Sequence, residues 1–424
     1  MRKFFAAVGF AILAIAALVI YLNLRGEDKI HDVPPLVPPT GESVARGAYL
    51  VRAGNCMACH TERGGAPFAG GAAIETPFGA VFASNITSDK ATGIGNWNAA
   101  EFWRAMHNGR SKDGRLLYPA FPYPSYTVVT RADSDAIHAY LQTVPAVSRV
   151  NKAHRLRWPY STQAALAVWR AMYFSPAAHQ DDTTQTAQWN RGAYLVKGLG
   201  HCSACHSTRN ALGASDQKAS LSGGLIPMQN WYAPSLTSAV EAGVADWEPT
   251  QIARLLQTGV SDRGSVTGPM AEVVLKSTQH LTPEDLRAMA VYLKSLPQAG
   301  RADHAPGPAI TPAVAARGAK LYEDNCMQCH GSRGEGIPGA YPPLAGNRAV
   351  TMAVTANLVQ IVLNGGYAPA TEGNPRPYGM PPFATSLGDA DIAAVLSHIR
   401  TSWGNTAGAV SELAVTQHRS TVGP

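Results

Sequence analysis

The sequence predicts an all-α protein in which three tandem small helical domains follow an N-terminal transmembrane helix. Three observations predict it. The motif Cys-X-X-Cys-His occurs at Cys56/Cys59/His60, Cys202/Cys205/His206 and Cys326/Cys329/His330, and takes up all 6 cysteines. A helical string leads into each motif and two more come after it, so the chain repeats itself. The first residues form an apolar run long enough to cross a bilayer.

That run, FFAAVGFAILAIAALVIYLNL from Phe4 to Leu24, comes after Arg2 and Lys3. At ~1.5 Å per residue it spans roughly the 30 Å hydrocarbon layer. A cleaved secretory signal is the rival reading, but signals have shorter apolar regions that end in a small-X-small site, and no such site follows this run, which passes through Val19, Ile20, Tyr21 and Leu22 to Arg25. Residues 1–25 are therefore read as an uncleaved anchor with its basic end in the cytoplasm and the rest of the chain outside. Either reading exports the body of the chain. Residues 26–43 contain HDVPPLVPPTG, a stiff proline-rich linker.

The three copies cover residues 44–150, 188–298 and 312–405. They open with Arg46-Gly-Ala-Tyr-Leu-Val, Arg191-Gly-Ala-Tyr-Leu-Val and Arg317-Gly-Ala-Lys-Leu-Tyr, with apolar positions at helical spacing. After each motif comes a helical string ending in glycine: FWRAMHNG, IARLLQTG and LVQIVLNG. A loop then leads to a last helix, SDAIHAYLQTVP, EDLRAMAVYLKSLP and DADIAAVLSHIRTSW, each starting beside an acidic residue that complements the helix dipole. Residues 151–187, with RWPYSTQAALAVWRAMYF, read as a strap between the first two domains. Residues 299–311 read as an exposed linker, and 406–424 as a polar tail.

The motif has a chemical reason. Two thiols add across the vinyl groups on one porphyrin edge, and two intervening residues let one backbone turn present both sulfurs there. The next histidine then supplies an iron ligand, so the pattern predicts three covalently bound haems c. A zinc knuckle would place paired Cys-X-X-Cys units close together, a redox pair would not carry the histidine three times, and a disulfide framework would space its cysteines differently. The formal charge of +6 is low for the length, and haem propionates would offset part of it. With no Lys/Arg run interleaved with aromatics past the first residues, nucleic acid is set aside.

An electron-carrying domain of this kind usually closes its iron with a methionine thioether, which favours Fe(II). Met270 in TGPMAEVV and Met380 in YGMPPF fall in the loop before the last helix and are the candidate sixth ligands of the second and third sites. The first loop reads LLYPAFPYPSYT, and Phe121 stands where methionine is expected. Met106 and His107 are nearby, but the repeat places both inside a helix, so the first iron is expected to be open or to hold an unusual ligand. Asn85-Ile86-Thr87 is expected to orient a pocket loop, and His201 to be exposed or bonded to a propionate.

The strings RGAYLVRAGNCMACHT, TPFGAVFASNIT, WNRGAYLVKGLGHCSACHSTRNALG, WYAPSLTS, GPMAEVV, MAVYLKSLP and MPPF with SWGN resemble the membrane-bound three-haem cytochrome c subunits of bacterial periplasmic dehydrogenases, over about residues 44–405. The resemblance implies three cytochrome c domains, with haem on the cysteines above, His60, His206 and His330 as proximal ligands, and Met270 and Met380 as distal ones. It also implies a catalytic dehydrogenase partner of flavin, quinone or molybdopterin type, ubiquinone or a terminal oxidase as acceptor, and residence at the cytoplasmic membrane with the haem domains in the periplasm. Many relatives have LYPAMPY where this chain has LYPAFPY, so no methionine carries over to Phe121. The rival function is a haem enzyme, reducing peroxide or oxidising a sulfur compound at an open first haem, with Arg104, His107 and Arg110 as distal groups.

Overall fold

The computed structural model describes residues 1–27, 40–216, 219–299 and 308–419. The proline-rich linker at 26–43 and the linker at 299–311 lie mostly outside the described residues. Two compact units emerge, one of Met1–Gln185, Ala193–Ala204 and Asn210–Ala214, the other of Thr186–Gly192, Cys205–Arg209 and Ser215–Pro424.

In the first unit, α1 (Arg2–Leu24) is exposed along almost its whole length and buries only Asn23. Next come α2 (Gly41–Ala53), whose first turn is capped by the Thr40 hydroxyl accepting from the Ser43 N–H at 3.1 Å, and the single turn α3 (Cys56–His60). A small antiparallel sheet comes next, ordered β1 (Ala73–Thr76), β2 (Gly79–Phe82), β3 (Arg155–Leu156). Asn98 and Glu101 cap each other's backbone at the start of α4 (Ala99–Asn108), and Gly109 ends that helix at φ +60°, a left-handed turn that glycine adopts without strain. The short α5 (Tyr123–Tyr126) leads into α6 (Arg131–Leu141), capped by Thr130. The strap segment carries α7 (Gln163–Tyr173). This helix packs on the end of α1, where the Asn23 amide donates to the Ala167 carbonyl at 2.9 Å, and Trp169 Nε1 also donates to the Leu212 carbonyl at 2.9 Å.

The second copy opens with α8 (Ala187–Lys197) and the haem-motif turn α9 (Ser203–His206). It continues with hairpin β4 (Gly224–Ile226) and β5 (Trp231–Ala233), α10 (Pro249–Thr258), hairpin β6 (Val260–Ser261) and β7 (Gly264–Ser265), α11 (Pro269–Lys276) and α12 (Pro283–Lys294). The third has α13 (Pro312–Asn325), α14 (Met327–His330), α15 (Arg348–Thr351), α16 (Ala356–Asn364), hairpin β8 (Gly366–Tyr367) and β9 (Gly379–Met380), and α17 (Asp389–Thr401).

One helix crossing recurs three times. A Cβ added at Gly47, Gly192 or Gly318 would lie 1.9, 2.0 or 2.3 Å from the carbonyl oxygen of Ala136, Ala288 or Ala394 in the last helix of that copy. Only glycine allows so close an approach. The residue before each glycine fixes the crossing from the side, with the Nε of Arg46, Arg191 and Arg317 bonded to Asp133, Asp285 and Asp391 at 2.7, 2.8 and 2.8 Å. The acids that open the last helices therefore serve an ion pair as well as the helix dipole.

Two features depart from the purely helical expectation. The short strands, none longer than four residues among those described, close loops too brief for alternating polarity to reveal. The tail, read only as polar, forms α18 (Glu412–Arg419), with Val410 and Val415 buried against Val359, Leu363, Ile392 and Leu396. Its apolar residues are too few to show a helical period.

Candidate functional site

Each Cys-X-X-Cys-His motif winds into one helical turn, in which residues three apart share a face. Cys56–His60 are helical throughout, Ser203–His206 form the turn after Cys202, and Cys326 caps Met327–His330. The pocket loop is tied back to the turn in the same way in all three copies. The carbonyl of His60, His206 or His330 accepts from the N–H of Gly70, Gly223 or Gly336 at 2.8, 2.8 and 2.9 Å.

The histidines are oriented alike. Nδ1 of His60 lies 2.7 Å from the Ser84 carbonyl, Nδ1 of His206 2.7 Å from that of Pro234, and Nδ1 of His330 3.1 Å from that of Pro342. A carbonyl only accepts, so Nδ1 carries the proton and Nε2 is left with its lone pair. Burial pulls all three below the ordinary histidine value, with the carbonyl bonds opposing it, so the rings are neutral near pH 7. Three neutral imidazoles presenting Nε2 suit an iron ligand, with the carbonyl as the partner that fixes ring and tautomer. These residues fit haem c.

The thiols argue against a redox pair. Burial pushes Cys56 up to about 12 and Cys326 up to about 11, the neighbouring cysteine adding to it in each case, and burial also raises Cys205. Reactive Cys-X-X-Cys pairs are shifted the other way, toward thiolate at neutral pH.

Met270 is half-buried, but in the first turn of α11 rather than in a loop, because Pro269 starts a helix there. Met380 sits in β9, half-buried against the core of the third copy. Phe121 is half-buried and meets Tyr126 edge to face, with ring centroids 5.4 Å apart. Met106 is 5% exposed within α4, and His107 is stacked on Trp103 of the same helix at 4.3 Å. Arg104 donates to the carbonyls of Ser111 and Lys112, and Arg110 pairs with Glu27 at 2.5 Å, so both guanidinia are engaged elsewhere. His201 is half-buried rather than exposed. Its ring packs on Tyr126 at 5.7 Å and bonds the Gly54 carbonyl, beside the first motif. Asn85 is 2% exposed, its amide donating to the Val147 carbonyl at 2.8 Å and its Oδ1 accepting from the Thr87 N–H at 3.0 Å, which fixes the loop that supplies the Ser84 carbonyl.

Helix pairs clasping a Cys-X-X-Cys-His turn with an oriented histidine define a c-type cytochrome, and the cytochrome c family profile matches residues 44–145 and 315–403. The chain is 40% identical over 403 residues to the cytochrome c subunit of alcohol dehydrogenase (quinone) from Gluconacetobacter polyoxogenes, covering 90% of this chain and 85% of that one. It is 39% identical to the gluconate 2-dehydrogenase cytochrome c subunit of Pantoea cypripedii (94% and 92% covered) and 35% identical to the fructose dehydrogenase cytochrome subunit of Gluconobacter japonicus (97% and 90%). The chain belongs to this family of dehydrogenase cytochrome c subunits. Membership implies covalently bound haem c and electron transfer in company with a catalytic dehydrogenase.

Proposed function

We propose that the chain carries three haems c, one per copy in three tandem cytochrome c domains. Cys56 and Cys59, Cys202 and Cys205, and Cys326 and Cys329 hold them, His60, His206 and His330 are the proximal ligands, and Met270 and Met380 are the distal ligands of the second and third. The observation that carries this reading is the threefold recurrence of a motif histidine whose Nδ1 is bonded to a backbone carbonyl. When bound, haem c supplies a one-electron iron couple. The chain's own residues attach the porphyrin edge, hold the imidazole, and exclude water from the iron's far side where a methionine is present. At the first site no methionine is assigned, and Phe121 presents an apolar ring instead.

In this reading electrons pass from the catalytic subunit of a dehydrogenase through the three haems to ubiquinone or a terminal oxidase. The chain is anchored by α1 in the cytoplasmic membrane with its haem domains in the periplasm. The peroxidase-like alternative gains little support, since Arg104 and Arg110 are engaged with carbonyls and Glu27. Extracted in detergent from its native membrane, the chain should bring a catalytic subunit with it. A substrate of that subunit should reduce the haem bands, and a short-chain ubiquinone should reoxidise them. Isolation as a lone chain that turns over peroxide would contradict the reading.

A further inference from the structure

The sequence of α7, QAALAVWRAMY, contains one charged residue, and the fold turns it inward. Arg170 is 3% exposed, with Nε donating to Asn23 Oδ1 at 2.9 Å and Nη1 to the Asn108 carbonyl at 2.6 Å, while its guanidinium lies over the rings of Tyr123 and Phe174 at 5.2 and 4.8 Å. Outward, Val168 and Met172 are 45% and 54% exposed, one helical turn apart, with Ala164 exposed a turn earlier. A helix on a water-facing surface shows the reverse pattern, polar side out.

Position identifies what covers this stripe. Asn23, which binds both Ala167 and Arg170, lies in the last turn of α1, and Arg25 just beyond it donates to the Phe174 carbonyl at 3.3 Å. With a rise of ~1.5 Å per residue, α7 is pinned within about one turn of the end of the apolar run. An anchor's outer end marks the boundary of acyl chain and headgroup, where uncharged apolar helix faces bury themselves and tryptophan is enriched. Trp158, in the turn leading into α7, is 82% exposed. We propose that the Ala164–Val168–Met172 face of α7 is a second membrane contact, lying in the interfacial layer of the bilayer beside the outer end of α1. It rests on the reading of α1 as an anchor, and it makes the first unit a body docked on the membrane rather than one tethered at a distance.

The test uses the full chain in discs of phosphatidylethanolamine and phosphatidylglycerol. Nitroxide spin labels are placed through Val168→Cys and Met172→Cys, with Leu13→Cys in mid-α1 and Arg287→Cys on an exposed face of α12 as references, and an unchanged haem spectrum certifies each variant as folded. Labels at 168 and 172 should lose collisions with a water-soluble nickel complex and gain collisions with oxygen, reading between the two references. If Leu13 reads as lipid while 168 and 172 read like Arg287, the face is aqueous and the proposal is wrong although the anchor stands. If Leu13 also reads like Arg287, the anchor reading itself has failed and the proposal goes with it. Shielding at 168 and 172 that appears only when a catalytic subunit is added would assign the face to that subunit and overturn the lipid contact.

Discussion

An imidazole binds iron through whichever nitrogen lacks a proton, and the bond at the other end of the ring makes that choice. Here the carbonyls of Ser84, Pro234 and Pro342 make it, so the orientation depends on where the pocket loop runs rather than on any partner side chain. Because a soft thioether favours Fe(II), Met270→Ala and Met380→Ala should each lower the midpoint potential of one haem and expose one further iron to carbon monoxide. Phe121→Met should do the opposite at the first site, raising the potential of that haem and abolishing the carbon monoxide response expected of the parent if its first iron is open. Difference spectra of the reduced protein check both, and a Met270→Ala protein that responds like its parent would remove Met270 from the ligand set. The cysteines and histidines are legible in the sequence because the motif is contiguous. The carbonyl acceptors are not, since they lie 24, 28 and 12 residues downstream at spacings no motif fixes. The place of His201 is equally hidden, because nothing local shows that Tyr126 and Gly54 come to meet it.

At the level of the element, the decisive contacts are helix crossings and the clamps on them. Gly47→Ala places a methyl group against the Ala136 backbone, which cannot yield as a side chain end could. Overpacking of this kind costs about 1–3 kcal/mol, and calorimetry should show the lower melting temperature. Arg170→Ala should cost about 1–3 kcal/mol by leaving the Asn23 and Asn108 oxygens buried without their donor, and protease should then reach the α1–α7 junction. Glu62, two residues past His60, is held at about 2 by hydrogen bonds from Lys152 and Arg149, well below an ordinary glutamate near 4.3. A depressed carboxylate contributes stability that is full above its unfolded value and is lost as pH falls through the folded one. The 149–152 segment should therefore loosen between about pH 4 and pH 2, seen by limited proteolysis with an acid protease, and Glu62→Gln should remove that acid-sensitive step. The helices themselves are readable from apolar spacing and glycine stops. The role of the RGA string is only half visible, because a repeat shows that a glycine recurs but not what backbone it meets.

At the scale of the whole molecule, three copies of one clasp suit a carrier that passes single electrons between sites, with ligand differences setting the order of potentials. The first copy departs at Phe121, and its unit also holds α1 and α7, which is where the chain differs most from a plain repeat. The long apolar helix α1 is legible from length and composition alone. The packing of α7 on the end of α1 is hidden, because nothing local in a segment read as a strap shows that the Arg170 guanidinium turns inward to Asn23 and Asn108. The ligand roles and the carrier function all depend on the count of haems. Intact-mass spectrometry of the denatured, reduced protein tests that count most directly, since only covalently attached haem survives denaturation. The expected mass is that of the polypeptide plus three haems, falling to two when Cys56 and Cys59 are both replaced by alanine. A parent mass carrying two haems or fewer would contradict it.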